Sequence, residues 1–158
     1  MTIIEELKPD STSNETILTI GVFDGVHLGH RHLMSELTKQ ANTTNRRAGV
    51  ITFQNHPASV INPEFKPNFI TSLKDRVDLL LDTGVDFVSP ISFDLEVSKL
   101  SAERFTDILV EVLNTPILVG LQNSDAIFGN ACIRKTRGRF SENKAEFWYR
   151  DKFPLLIY

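Results

Sequence analysis

The chain has 158 residues, 41% hydrophobic and 23% charged, with a net charge of −3. That is enough for one domain with its own core, and the acidic balance gives no whole-chain attraction to nucleic acid or an anionic membrane. A single cysteine, Cys132, excludes an intrachain disulfide framework, and no apolar run approaches membrane-spanning length. Residues 1–14 are polar, without a signal-peptide core, so the expected compartment is the cytoplasm.

In chain order, the apolar run 17–22 predicts a first strand and the spacing of Leu33, Met34, Leu37 and Ala41 a helix over residues 30–41. Residues 48–53 predict a second strand. A loop over 54–69 follows, where Pro57, Pro63 and Pro67 exclude a regular helix; a loop this long in a compact domain is functional or disordered. Ser72 with Asp75 fits a capping box, so a helix starts there with Val77, Leu80 and Leu81 as its apolar stripe and Gly84 as its stop. Residues 85–88 predict a third strand. Ser101 caps a further helix carrying Phe105, Ile108, Leu109, Val112 and Leu113, ended by Asn114, and residues 117–120 predict a fourth strand. Alternating strands and helices imply an α/β fold, a doubly wound parallel sheet with right-handed crossovers. After Gly129 the pattern degrades. The basic run Arg134-Lys135-Thr136-Arg137-Gly138-Arg139 lacks apolar periodicity, and 147–149 and 153–158 are apolar clusters, either a last strand or a tail that packs on something else. Residues 1–130 are read as the domain and 131–158 as a divergent or truncated tail.

The chemistry concentrates at Gly21-Val22-Phe23-Asp24-Gly25-Val26-His27-Leu28-Gly29-His30, a glycine-rich turn joining the first strand to the first helix. In an open α/β sheet this is where ligands bind, and a helix start offers free backbone N–H groups to phosphate. Taken singly, such a turn is common and a lone histidine is structural. The joint pattern His-x-Gly-His with Phe-Asp-Gly ahead of it points to a phosphate site. No His, Cys and carboxylate cluster has metal-ligand spacing, and no Gly-x-x-x-x-Gly-Lys-(Ser/Thr) loop occurs, so neither a protein-held metal nor a P-loop kinase is expected.

The long motif resembles the adenylyltransferase module of bacterial bifunctional riboflavin kinase/FMN adenylyltransferase (FAD synthetase), in the HxGH nucleotidylyltransferase superfamily. Thr52-Phe53-Gln54-Asn55-His56-Pro57 is similar to the family's Thr-Phe-x-x-His-Pro, with Asn55 where an additional proline often stands. Residues 70–76 also follow the family, with Arg76 where a lysine is usual; so do 84–88, Phe93-Asp94 and 100–105. Asp125 and Phe128 align with the family's Val-Gly-x-(Asp/Asn)-Phe-x-Phe-Gly, although Ala126 replaces the first aromatic and three extra residues follow Gly120. The second phosphate motif, Ser-Ser-Thr-x-Ile-Arg, has no counterpart, and neither does a riboflavin kinase module. The motifs are legible over residues 17–129.

The resemblance implies ATP + FMN giving FAD + pyrophosphate, with Mg²⁺ arriving with ATP. His27 and His30 would be catalytic. Gly21, Phe23, Asp24, Gly29, His30 and Asp125 would contact the nucleotide; Asn55, His56, Pro57 and Phe128 the flavin. Asp24 would orient either the turn or the ribose. Partners would be small molecules, with no nucleic acid or membrane, and a missing riboflavin kinase module. Two alternatives stay open: a degenerate module that binds nucleotide or flavin without turnover, favoured by the absent second motif, and another HxGH nucleotidylyltransferase acting on nicotinate mononucleotide or a phosphopantetheine, against which Thr-Phe-x-x-His-Pro argues.

Overall fold

The computed structural model describes residues 3–7, 15–114, 117–119 and 146–148. Asp125, Phe128, Cys132 and the basic run 134–139 lie outside them. The elements run α1 (Ile3–Glu6), β1 (Thr16–Gly21), a 3₁₀ turn (Asp24–Val26), α2 (Leu28–Thr43), β2 (Arg47–Phe53), α3 (Pro57–Ile61), α4 (Leu73–Leu81), β3 (Phe87–Ile91), α5 (Leu95–Lys99), α6 (Ala102–Leu113), β4 (Ile117–Val119) and β5 (Glu146–Trp148). The strands form one sheet in the order β3-β2-β1-β4-β5, and every pairing is parallel. The α/β doubly wound reading therefore holds.

Residues of β1 and β2 alternate between two cores, as a period-two strand requires. Leu18, Ile51 and Phe53 join Ile91, Phe93, Phe105, Ile108, Leu109 and Leu113 on the face covered by α1, α5 and α6. Ile17, Ala48 and Val50 join Leu33, Met34, Leu37, Ala41 and Leu80 on the face covered by α2 and α4. Both faces are thus buried, which is why the strands read as near-continuous apolar runs.

Several expectations are corrected. The segment 54–69 contains a regular helix after all: Pro57 opens α3 at its first position, where its missing N–H breaks no helical bond. The third strand lies later than 85–88, because β3 is the edge strand and an edge tolerates Pro90. In α4 the inward positions are Arg76 and Leu80, with Val77 half-buried and Leu81 exposed. The caps stand where the pattern put them: Ser72 Oγ accepts from Asp75 N, Ser101 Oγ accepts from Arg104 N, and Asn114 ends α6 in the left-handed region with φ 48°. Of the two alternatives for the apolar cluster near 147, a strand is realised, since β5 pairs with β4.

Of the glycines described, Gly49 is the most tightly packed. A Cβ there would lie 2.2 Å from Phe87 Cζ and 2.5 Å from Leu18 Cδ2, and Leu18 is fully buried. Gly49→Ala is expected to destabilise the domain by about 1–3 kcal/mol through overpacking. Thermal denaturation checks this, and a midpoint equal to the parent's would mean that Phe87 and Leu18 move aside without cost.

Candidate functional site

Strand order reverses at β1: β2 lies on one side of it and β4 on the other. The turn after β1 therefore sits at the topological switch point, the crevice that open α/β sheets use for ligands. The turn is strained. Phe23, Gly25 and Val26 all have positive φ, at 53°, 69° and 40°. For a bulky and a β-branched residue this costs roughly 1–3 kcal/mol each and persists only where surroundings enforce it. Two forces do so here. The Phe23 and Val26 side chains are buried in the α2–α4 core. The Asp24 carboxylate accepts from Ile70 N at 2.7 Å, Thr71 N at 3.0 Å and Thr71 Oγ1 at 2.7 Å, while Gly25 N donates to Thr71 Oγ1 at 3.2 Å. Asp24 thereby latches the turn to the segment that opens α4.

The glycines make room for rings of the turn itself. A Cβ on Gly21 would meet Phe23 Cζ at 2.7 Å, and one on Gly29 would meet His27 Cε1 at 3.1 Å. The His27 and His30 rings then stack with centroids 3.6 Å apart, and Phe23 meets His30 edge-on at 5.2 Å. His27 is the N-cap of α2, its Nδ1 accepting from His30 N at 3.4 Å. That bond keeps a lone pair on Nδ1, so in neutral His27 the proton sits on Nε2, ready to donate. His30 Nδ1 is buried with no partner among the described residues. Burial, and then the neighbouring His27, lower the His30 pKa from 6.5 to about 4, with Asp24 opposing. For Asp24, burial acts to raise the carboxyl pKa, but the bonds from Ile70 and Thr71 and the charge of Arg76 outweigh it and hold it below 3.8.

The loop after β2 lies beside this turn, because Gly21 and Thr52 are register partners and Thr52 Oγ1 donates to Val22 O at 3.0 Å. His56 Nδ1 caps α3 by accepting from Ala58 N at 3.2 Å, and buried Pro57 begins that helix. Phe65 and Phe69 stand around the His56 ring at centroid distances of 5.4 and 6.5 Å. The Asn55 amide pairs with the Phe93 backbone in both directions: Nδ2 donates to Phe93 O at 2.7 Å, and Oδ1 accepts from Phe93 N at 2.9 Å. One amide hydrogen and one lone pair remain for anything else. Ile70, 83% exposed, lies against Gly25, and Leu28 at the start of α2 is 85% exposed.

The structure thus gathers Gly21, Phe23, Asp24, His27, Gly29 and His30 at the end of β1, with Asn55, His56 and Pro57 at the adjoining end of β2. Sequence reasoning missed Thr71 as the partner of Asp24, Phe93 as the partner of Asn55, and Arg76. Only Arg76 left a signal, a basic residue four before Leu80 and so on the inward face of α4. Among the described residues no three His, Cys, Asp or Glu side chains converge to hold a metal ion, and no helix is long and apolar enough to cross a membrane.

The FAD synthetase family model matches residues 10–134. The chain belongs to the FAD synthetase family. A bifunctional riboflavin kinase/FMN adenylyltransferase of Buchnera aphidicola is 32% identical over 146 residues, covering 91% of this chain and 44% of the relative. Proteins of that name from Escherichia coli K12 and Bacillus subtilis are 35% and 29% identical, over 65% and 63% of this chain and about a third of their own lengths. The chain thus spans less than half the length of these relatives. A solved structure described as a macrolide-efflux protein from Streptococcus pneumoniae superposes with a TM-score of 0.68 over 94% of this chain and 49% of its own, at 19% identity, which bears on the fold alone. The FAD synthetase match extends slightly beyond the legible motifs, from 17–129 to 10–134.

Proposed function

We propose that this FAD synthetase domain binds ATP and FMN at the switch point and is built for adenylyl transfer between them. An FMN phosphate oxygen attacks the α-phosphorus of ATP, the bond to the β-phosphate oxygen breaks, and FAD and pyrophosphate result. Chemistry of this kind needs positioning and stabilisation of charge more than a protein nucleophile. The observation that carries the reading is the stacked His27–His30 pair at the start of α2, on a strained turn at the end of β1. His27 Nε2 donates to the phosphates, and His30, neutral at pH 7, offers a ring N–H in a partly desolvated setting. The exposed Phe65 and Phe69 beside His56, with exposed Ile70 against Gly25, offer apolar surface for a flat ring system. Asn55 serves this wall mainly by tying the end of β2 to Phe93. Asp24 serves the nucleotide by shaping the turn. Asp125 and Phe128 complete the nucleotide and flavin contacts in this reading. Mg²⁺ is carried in by the ATP phosphates, with no step assigned to it. A riboflavin kinase module is the functional partner, and the cytoplasm the compartment.

The second reading, binding without turnover, is favoured by the absence of any Ser-Ser-Thr-x-Ile-Arg sequence, which leaves the phosphates gripped from one side. Purified chain given FMN, ATP and Mg²⁺ is therefore expected to form FAD weakly or not at all, by chromatography, while calorimetry detects ATP or FAD binding in preference to nicotinate mononucleotide. Turnover of about 1–10³ s⁻¹ would mean that Arg134, Arg137 or Arg139 replaces the missing motif. Tight nicotinate mononucleotide binding with none for flavins would overturn the flavin assignment.

A further inference from the structure

Arg76 is 1% exposed, and among the described residues no other charged side chain is buried. Burying a guanidinium costs several kcal/mol unless its donors are matched, and an apolar residue of like volume serves stability as well or better. Its partners explain its presence differently. Nη1 donates to Val22 O at 3.0 Å, the first residue of the turn after β1. Nη2 donates to Phe53 O at 2.9 Å, at the end of β2, with Gln54 O at 3.5 Å. The guanidinium carbon lies 5.1 Å from the centroid of the Phe69 ring. Nε is buried with no acceptor among the described residues, so the fork is not arranged to satisfy itself fully. One rigid planar group on α4 therefore touches both ligand-side loops and an aromatic ring of the wall around His56.

We propose that Arg76 is a positioning residue, setting the separation of the phosphate-side turn from the flavin-side loop and holding Phe69 over the latter. The proposal rests on the reading above for what each loop binds, but not for the linkage between them. The two sides depend on Arg76 unequally. The phosphate-side turn has a second tether in the Asp24–Thr71 bonds. The Asp24 bonds reach the backbone of Ile70 and Thr71 but not the ring of Phe69, which lies against the guanidinium at 5.1 Å and farther from the His56 ring at 6.5 Å. A lysine, the usual residue at this position in the family, carries the same charge and three donors but no planar fork, so beside the Val22 and Phe53 carbonyls and the Phe69 ring of this chain it cannot bridge both carbonyls while lying flat on the ring.

The test compares the parent chain with Arg76→Lys and Arg76→Met in two measurements. Without ligand, amide hydrogen exchange is followed by residue. Arg76→Lys is expected to lose protection in 22–26, 54–56 and 69–71, while α2 and α6 keep theirs; unchanged protection, or loss spread evenly over the chain, would overturn the proposal. With ligand, calorimetric titration of Arg76→Lys is expected to show FMN affinity down about tenfold, the loss of one hydrogen bond to a charged group, with ATP affinity changing far less. Equal loss for both ligands would overturn the unequal dependence. If the parent binds neither ATP nor FMN, the functional reading fails, and the exchange measurement alone decides whether Arg76 links the loops. Arg76→Met is expected to lose the local protection while the chain still unfolds cooperatively, since an apolar side chain of like length fills the same space. If it keeps parental protection in all three segments, the linkage is not made by the guanidinium.

Discussion

Replacing His27 or His30 by alanine is expected to cut FMN adenylylation by roughly 10²–10³, the usual cost of removing one preorganised donor at developing charge. The fold should survive both changes, because α2 is held by Leu33, Met34, Leu37 and Ala41 in the core rather than by its first turn. Where turnover is too low to follow, the readout is ATP affinity, expected to fall by about tenfold or more. His32→Ala, two residues past the motif and exposed on another face of α2, is the control and should leave both unchanged. Parental behaviour of both motif variants would remove the histidines from the mechanism. The pH dependence isolates His30. His30 has its folded pKa lowered from 6.5 to about 4, so at pH 5 it is neutral when folded and protonated when unfolded. The unfolded state then binds the extra proton, and stability falls as pH drops from 6.5 toward 4. Urea titrations at pH 7 and pH 4.5 should show this loss in the parent and not in His30→Ala. An identical loss in both would show that the acid sensitivity originates elsewhere.

The second large effect is expected at Asp24. Alanine there leaves Ile70 N, Thr71 N and Thr71 Oγ1 without their acceptor and releases a turn that holds Phe23 and Val26 at positive φ. Hydrogen bonds to a charged group are worth about 1.5–3 kcal/mol each, less where water reaches them, so a net loss of about 2 kcal/mol is expected. Nucleotide affinity should fall more steeply than this stability loss alone dictates, because the relaxed turn no longer stacks His27 on His30. Asn at this position keeps one acceptor but turns an N–H toward the other donors, so Asp24→Asn should behave nearly as Asp24→Ala does. If Asp24→Asn folds and binds ATP like the parent, the latch is not what holds the turn. The carboxylate's folded pKa is depressed below 3.8, so its contribution is present above that value and disappears as pH falls through the lowered one. This acid loss lies below the His30 window and should be absent from Asp24→Ala.

Local chemistry was enough to read much of this protein. The alternation of apolar strands with capped amphipathic helices identified a parallel α/β sheet, since helix and strand periods and the Ser72, Ser101 and Asn114 signals act over a few residues. The run from Gly21 to His30 marked the proposed phosphate side, because its residues are contiguous and the His27 and His30 rings stack. Tertiary structure alone decided the rest. Strand order placed the turn at a switch point, a consequence of which edge of β1 each later strand joins. Asp24 is answered by Thr71, Asn55 by Phe93, and Arg76 by Val22 and Phe53, all separations of 23 to 54 residues. Nothing in a local pattern encodes such pairings. An aspartate that orients a turn and one that binds a ribose look alike until folding shows which donors surround it, and the groups that a buried arginine answers are decided only once the sheet beneath it has formed.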